Sequence, residues 1–253
     1  MNLVLRGKIT SGIYAFFLTL LLGACGIEDY PVIPPIPQSN VTRQFNDRAT
    51  VYIPSDYNGT YFTNFAIYYR IYVSDTPQSS TSSEGIFSTI NPVLSTDYNV
   101  FSSYIDSSTT VNVDMDRLFQ GRNYKLLALQ PNDNINSVLS SSVFGSNLVF
   151  EFSSSRAPTM TVGSSVYTLW RSDGVGLFSP QPDRLFRNSE ELYRRDNIND
   201  TINNDVADKS GVNDGSRLYT YAAMFIVSVG VNTASYSNIY STPALIHVFQ
   251  LPD

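Results

Sequence analysis

The stretch FTNFAIYYRIYV, residues 62–73, decides the fold of this chain. Phe, Ile, Tyr, Ile and Val occupy every second position from 65 to 73, and this period of two predicts a long β-strand with one fully buried face. The opposite face carries Tyr68, Arg70 and Tyr72. This second face either packs under a neighbouring element or forms a surface patch of tyrosine and arginine, and the pattern leaves both alternatives open.

Further strand patterns follow along the chain. The most apolar are residues 217–231 (RLYTYAAMFIVSVGV) and 239–250 (IYSTPALIHVFQ), which predict a hairpin of two long strands. Shorter runs at 50–54, 109–113, 148–152, 159–162 and 166–170 predict further strands. Seventeen tyrosines, 15 phenylalanines and only 15% charged residues are typical of strands and turns and argue against a helical bundle.

One short motif resembles a known domain family. Leu118, Gly121 and Tyr124 in LFQGRNYKLLAL resemble the corner between the fifth and sixth strands of fibronectin type III domains. The resemblance implies that the leucine fills the core, that the glycine makes the turn, and that the tyrosine hydroxyl bonds to the corner backbone. It implies an all-β fold, an immunoglobulin-like or fibronectin-like antiparallel β-sandwich.

The length of the chain departs from that family. Such modules have about 100 residues and end soon after the corner, whereas 129 residues follow Tyr124 here. Either a second unit begins, or one elaborated domain at residues 45–253 carries a large loop insertion, roughly 130–215, with one short helix at 189–195. We favour the single elaborated domain.

The N-terminus has the pattern of a secretory signal. Arg6 and Lys8 precede an apolar run at residues 13–22, and this run is shorter than the ~20 residues of a membrane-spanning helix. Leu22-Gly23-Ala24-Cys25 resembles the lipobox of bacterial lipoproteins, which implies cleavage after residue 24 and acylation of Cys25. Cys25 is also the single cysteine of the chain. An ordinary signal peptide with an incidental cysteine, or an uncleaved anchor, remains the alternative.

The residues after Cys25 predict where the protein is held. Gly26, in place of an aspartate, favours the outer membrane by resemblance to the enterobacterial sorting rule, and leaves open which face of that membrane the protein occupies. Prolines at 31, 34, 35 and 37 predict that residues 25–44 form a stiff tether near polyproline II. A proline-rich ligand for a partner protein is the alternative for this segment.

Charge excludes one class of partner. Removal of Arg6 and Lys8 with the signal takes the net charge from −6 to −8, because all 22 acidic residues remain. A chain this acidic is a poor partner for nucleic acid or for a bare anionic membrane. The expected membrane contact is therefore the lipid on Cys25.

The sequence predicts neither a catalytic residue nor a cofactor. The single histidine, His247, falls within a strand pattern, and no motif of a common hydrolase or nucleotide-binding enzyme is present. Asp114 and Asp116 are the one carboxylate pair with spacing suited to glycoside hydrolysis, and we interpret them as residues of a turn. Asp196, Asp200 and Asp205 are weak candidates for calcium, in a polar loop without the spacing of a calcium-binding loop.

These observations predict a membrane-anchored envelope lipoprotein whose β-sandwich binds a protein or glycan ligand. Candidate contacts are the loop at residues 79–85, the face of Tyr68, Arg70 and Tyr72, and the loop at 196–215. The alternatives are a periplasm-facing structural component of the envelope, and an enzyme acting on glycans or peptides at Asp114 and Asp116.

Overall fold

The computed structural model describes residues 32–44, 47–57, 60–75, 77, 92–105, 115–130, 135–153, 155–172, 182–187, 205–207 and 217–252. Two antiparallel sheets carry most of this chain, which confirms the all-β class and the sandwich arrangement. Sheet A has seven strands in the order β1-β2-β6-β7-β8-β5, with β9 paired to β8. Its strands are β1 Val41–Gln44, β2 Arg48–Tyr52, β5 Ala128–Gln130, β6 Asn147–Glu151, β7 Thr159–Val162, β8 Ser165–Ser172 and β9 Pro182–Leu185.

Sheet B contains the two longest strands, which lie side by side. Its order is β11-β10-β3-β4, with β12 also paired to β10. The predicted C-terminal hairpin is present, although residues 241–243 divide its second arm into two strands. The strands are β3 Phe62–Ser74, β4 Lys125–Leu126, β10 Tyr219–Val231, β11 Asn238–Tyr240 and β12 Ala244–Gln250.

The described chain has three helices where the sequence predicted one. They are α1 Pro92–Ile105, α2 Met115–Gln120 and α3 Ile135–Val138, with 3-10 turns at Gln38–Asn40 and Ser141–Val143. Pro92 begins α1, because a first-turn proline has no backbone donor to lose and a suitable φ. The helix predicted at 189–195 lies outside the described residues.

Sheet B is buried on both faces. One face packs against sheet A around residues such as Phe65, Ile67 and Phe150. The other face packs against α1 and α2 through Phe101 and Phe119. A strand covered on both sides needs apolar residues at nearly every position, which explains the almost continuous apolar run of β10.

The segment predicted as a loop insertion, roughly 130–215, supplies much of sheet A. Strands β6, β7 and β8 confirm the strands predicted at 148–152, 159–162 and 166–170, and β9 is a further strand within the same segment. Residues 205–207 also join the sandwich, because Val206 forms a parallel bridge with Ile71 on the edge of β3.

The predicted tether is shorter than expected. Ile33 and Ile36 are 4% and 2% exposed and belong to the core between the sheets, and β1 pairs with β2 in sheet A. Val32–Asp253 therefore forms one compact unit, and residues 33–44 are part of the domain rather than a free spacer. Among the described residues, no helix has the length and apolar character needed to cross a bilayer.

Candidate functional site

The face of β3 that carries Tyr68, Arg70 and Tyr72 lies in the interior. The three side chains are 2%, 8% and 0% exposed. Of the two alternatives left open by the sequence, packing under a neighbouring element is therefore correct, and these residues form no surface patch for a ligand. The covering layer comes from α1, whose Leu94, Asp97 and Phe101 fall on one face of the helix at positions i, i+3 and i+7.

An ion pair lies at the centre of this buried layer. Arg70 Nη1 donates to Asp97 Oδ2 at 2.6 Å, and the Tyr72 hydroxyl donates to the same oxygen at 2.7 Å. The Tyr124 hydroxyl lies 2.7 Å from that of Tyr72 and is the donor, because the single proton of Tyr72 is already used. Arg122 Nε approaches Asp97 Oδ1 at 3.6 Å and is the most exposed charged member. These five residues form the Asp97 cluster.

Burial controls the ionisation of the cluster. Desolvation raises the pKa of Tyr72 well above its ordinary value, and the nearby Tyr124 and Asp97 add to this effect. Desolvation likewise raises the pKa of Tyr124. For Arg70, burial lowers the pKa, but Tyr72 and Asp97 outweigh that effect and raise it overall. Arg70 is therefore held as a cation and the two phenols as neutral groups, and the cluster ties α1 to sheet B through an ion pair.

The corner that resembles fibronectin domains is built differently here. A helix, α2, precedes Tyr124, and Phe119 is the residue fully buried in the core while Leu118 is partly buried. Gly121 lies in the turn, as the resemblance implies, and its amide donates to the Arg117 carbonyl at 2.9 Å. The Tyr124 hydroxyl lies next to Tyr72 on β3. The role implied for Leu118 therefore belongs to Phe119.

A second buried ion pair joins the two sheets. Arg171 on β8 of sheet A donates through Nε to Asp205 Oδ2 at 2.8 Å and through Nη2 to Oδ1 at 2.5 Å. The Tyr69 hydroxyl accepts from the Ser172 amide at 2.9 Å. Desolvation raises the pKa of Tyr69 well above its ordinary value, and the Asp205 carboxylate raises it further.

This pair bears on the calcium prediction. Both carboxylate oxygens of Asp205 accept hydrogen bonds from the Arg171 guanidinium. Asp205 therefore forms a two-point ion pair with arginine rather than a cation site. Asp196 and Asp200 lie outside the described residues, and calcium there stays a prediction. Within the described ranges, no three His, Cys, Asp or Glu side chains come together to hold a metal.

The structure describes the other sequence candidates only in part. His247 is 4% exposed and lies in strand β12, as predicted. Its ring is edge-on to that of Phe249, with 5.0 Å between the ring centroids. Asp114 and the loop at 79–85 lie outside the described residues, as does the side chain of Asp116. Of the loop at 196–215, only residues 205–207 are described.

The N-terminal segment docks along β10. Ile33 contacts the backbone at Gly230, the Pro34 carbonyl accepts from the Tyr57 hydroxyl, and Gln38 exchanges two hydrogen bonds of 2.9 Å with the Leu245 backbone. The Ser228 hydroxyl lies 2.5 Å from that of Tyr57 and is the donor, because the single proton of Tyr57 is already used. A polyproline helix repeats every three residues, so Ile33 and Ile36 share one face. This spacing was the sequence signal that could have predicted the docking.

The loop that joins β10 to β11 exposes an aromatic side chain. Residues 232–237, named here the hairpin tip, carry Tyr236 at 86% exposure with a φ of 55°. The left-handed region is unusual for a bulky residue. Two bonds hold the backbone in place: the Tyr236 amide donates to the Asn232 carbonyl at 2.7 Å, and the Asn232 amide donates to the Ser237 carbonyl at 2.9 Å. The tip therefore presents its tyrosine from an ordered backbone.

One broad sheet surface faces outward in the described structure. On the outer face of sheet A, the register aligns a row of small uncharged side chains across five strands, at exposed or half-buried positions. No described helix packs as a layer on these strands. The row comprises Thr42, Thr50, Val149, Thr161 and Val166.

Comparison of the chain with protein-family models, with curated proteins and with solved structures finds no match. The function must therefore be argued from the residues and geometry of this chain.

Proposed function

We propose that the protein is a lipoprotein of the bacterial cell envelope, held at the outer membrane by lipid on Cys25, whose β-sandwich acts as a binding module. The observation that carries the proposal is the position of Cys25. The single cysteine ends the lipobox-like Leu22-Gly23-Ala24-Cys25, and only six residues separate it from Val32, where the docked chain begins. Two or three acyl chains at that point would hold the protein stably on a bilayer.

The short connection supports an anchoring role for the N-terminus. Seven residue steps from Cys25 to Val32 reach at most about 25 Å in fully extended chain. Since Ile33 and Ile36 are fixed in the core, the whole unit stays close to the lipid. A tether this short suits a module that works at the membrane surface rather than far from it.

The outer face of sheet A is the surface best suited to a ligand. Both faces of sheet B are covered, one by sheet A and one by α1 and α2. The outer row of Thr42, Thr50 and Thr161 offers hydroxyls that can donate and accept, next to the 41% exposed Tyr52. Uncharged hydroxyls with an aromatic neighbour suit a protein or a glycan ligand and require no cofactor.

Lipidation is tested by replacing the cysteine that would be acylated. Cys25→Ser should prevent acylation and leave a precursor with residues 1–24 uncleaved, which runs as a larger protein than the mature form on a denaturing gel. Ser155→Ala, an exposed residue in the β6–β7 turn, is the matched control and should run as the mature form. Normal processing of the Cys25→Ser protein to the mature form would argue against the proposal.

The side of the membrane is tested by protease treatment of intact cells. Digestion of the sandwich, with a periplasmic protein left intact, would support a surface-exposed binding module. Protection until the outer membrane is opened would favour the periplasm-facing structural component instead.

The binding face is tested with a charged substitution. Thr161→Lys places a cation in the centre of the outer row. It should abolish capture of the protein's ligand, measured as binding to glycans on an array or as crosslinking to envelope proteins. Ser103→Lys, on the exposed side of α1, should leave capture unchanged. Equal loss in both variants, or in neither, would contradict binding at this face.

A further inference from the structure

The hairpin tip and the start of the described chain lie at the same end of the sandwich. Ile33 contacts Gly230, two residues before the tip, while Gln38 pairs with Leu245, which lies opposite Phe225 further down β10. The segment therefore runs antiparallel to β10, and its lower-numbered residues lie nearer the tip. Val32, 50% exposed, stands at this end with Tyr236.

The opposite end of the sandwich is farther from Cys25 than the chain can reach. Strand β10 has 13 residues, which at ~3.3 Å each span about 43 Å. The connection from Cys25 to Val32 spans at most about 25 Å. An anchor at Cys25 therefore brings the end with the hairpin tip nearest to the bilayer.

The chemistry of the tip fits that location. From Leu218 to Pro252 the chain has no Asp, Glu, Lys or Arg. The tip therefore has no charged side chain that would oppose its transfer to the headgroup layer. Asp56, in the neighbouring β2–β3 connection, is an exposed charge at this end. The opposite end carries Asp47, Arg48, Glu151, Arg156 and Arg217, all exposed.

Tyrosine is a side chain suited to the membrane interface. Its ring is apolar and its hydroxyl is polar, so tyrosine is enriched where hydrocarbon meets water. Tyr236 is 86% exposed and its backbone is held by the hydrogen bonds of the tip, so the loop loses little backbone freedom on contact with lipid. An exposed aromatic ring on an ordered, uncharged loop is the pattern expected of an interfacial anchor.

We propose that the hairpin tip rests on the bilayer that holds Cys25, with the Tyr236 ring among the lipid headgroups. The inference depends on the lipid anchoring proposed above and adds a second, non-covalent contact that orients the sandwich upright. The charged end then points away from the membrane, and the outer face of sheet A stands exposed along the side.

The experiment uses chemical attachment in place of cellular lipidation. Cys25 is the single cysteine, so the chain from Cys25 onward, which contains the whole compact unit, can be coupled to a maleimide lipid in zwitterionic vesicles. Tyr236→Trp places a fluorescent reporter at the tip. Ser155→Trp is the matched control in an exposed turn at the opposite end. Both variants keep Trp170, the single native tryptophan, as a common background.

Brominated lipids in the vesicles quench tryptophans that touch the bilayer. The proposal predicts loss of emission from Trp at 236 and unchanged emission from Trp at 155. Hydrogen exchange of the unsubstituted chain supplies a second readout, in which coupling to vesicles should slow exchange at residues 233–237. Unquenched Trp at 236 together with unchanged exchange would overturn the proposal and favour a protein or glycan partner for the tip.

The two proposals fail separately. Because coupling is chemical, the vesicle result does not depend on whether cells acylate Cys25. An unmodified Cys25 in cells would contradict the proposed function, whereas unquenched Trp at 236 would contradict only this inference.

Discussion

Ile33 packs directly on the backbone of Gly230, and this contact fixes the N-terminal segment to the end of β10. A β-carbon at residue 230 would overlap both Ile33 Cδ1 and the Tyr61 carbonyl oxygen, and the latter is backbone that cannot turn away. Gly230→Ala should therefore lower the free energy of unfolding by about 1–3 kcal/mol, as overpacking does. Urea denaturation measures the change. The control is Gly163→Ser, where open space surrounds the added atom; any loss there reflects its φ of 59° alone.

Burial of Ile36 gives a second test of the docked segment. Ile36→Ala should cost about 2–5 kcal/mol, because it removes a core side chain and leaves a cavity. Val32→Ala, at a side chain that is 50% exposed, is the matched control and should change stability little. Equal and small effects of the two substitutions would mean that residues 33–40 are a free tether after all.

The Asp97 cluster should be more sensitive than any surface ion pair. Asp97→Asn leaves the buried guanidinium of Arg70 without its counter-charge and should cost about 3–5 kcal/mol. The control is Glu151→Gln, which breaks the half-exposed pair with Arg48 at 3.5 Å and should cost at most about 1 kcal/mol. The loss of stability in the two variants is compared by thermal unfolding in the same buffer. Similar losses would contradict a buried ion pair.

The Arg171–Asp205 pair should show strong coupling between its partners. Either Arg171→Met or Asp205→Leu leaves one buried charge alone and should cost about 3–5 kcal/mol, while the double variant should recover most of the loss. Calcium should not change the melting temperature of either the parent or the double variant through this site. Additive losses would contradict the ion pair, and a calcium-dependent rise abolished by Asp205→Leu would restore Asp205 as a ligand.

Alkaline pH should unfold the protein cooperatively. Burial raises the pKa of Tyr57, Tyr69, Tyr72 and Tyr124 above the ordinary value of 10.0. Above pH 10 the unfolded chain loses these protons while the folded chain keeps them, so stability falls as pH rises. The expected slope is up to about 1.4 kcal/mol per pH unit for each such tyrosine.

Phenolate absorbance measured beside circular dichroism checks this prediction. The four buried tyrosines should ionise together with the loss of structure. Smooth titration of all tyrosines in a protein that keeps its fold would contradict the burial of these hydroxyls.

The sequence predicted the sheets better than the layer that covers them. Strand β3 and the C-terminal hairpin were predictable because a period of two over many residues has one common structural cause. Helix α1 was not predicted. The spacing of Leu94, Asp97 and Phe101 places them on one face only if the segment is already known to be a helix.

The candidate contacts on β3 could not be assigned from sequence for a related reason. The pattern of Tyr68, Arg70 and Tyr72 is that of a polar strand face at the surface. Only the contact with Asp97, distant in sequence, shows that Arg70 forms an ion pair in the interior. The same holds for Arg171, whose partner Asp205 lies in a polar stretch with few apolar residues. A buried charge becomes predictable only when its partner is known, because the pair and not either residue makes burial tolerable.

The most direct test of the account is the mass of the N-terminal peptide from protein purified out of the membrane. The account predicts a mature chain that begins at Cys25, with the mass of a diacylglyceryl group on sulfur and an acyl group on the amine. A peptide with a free Cys25 thiol, whether cleaved elsewhere or continuous with residues 1–24, would contradict it.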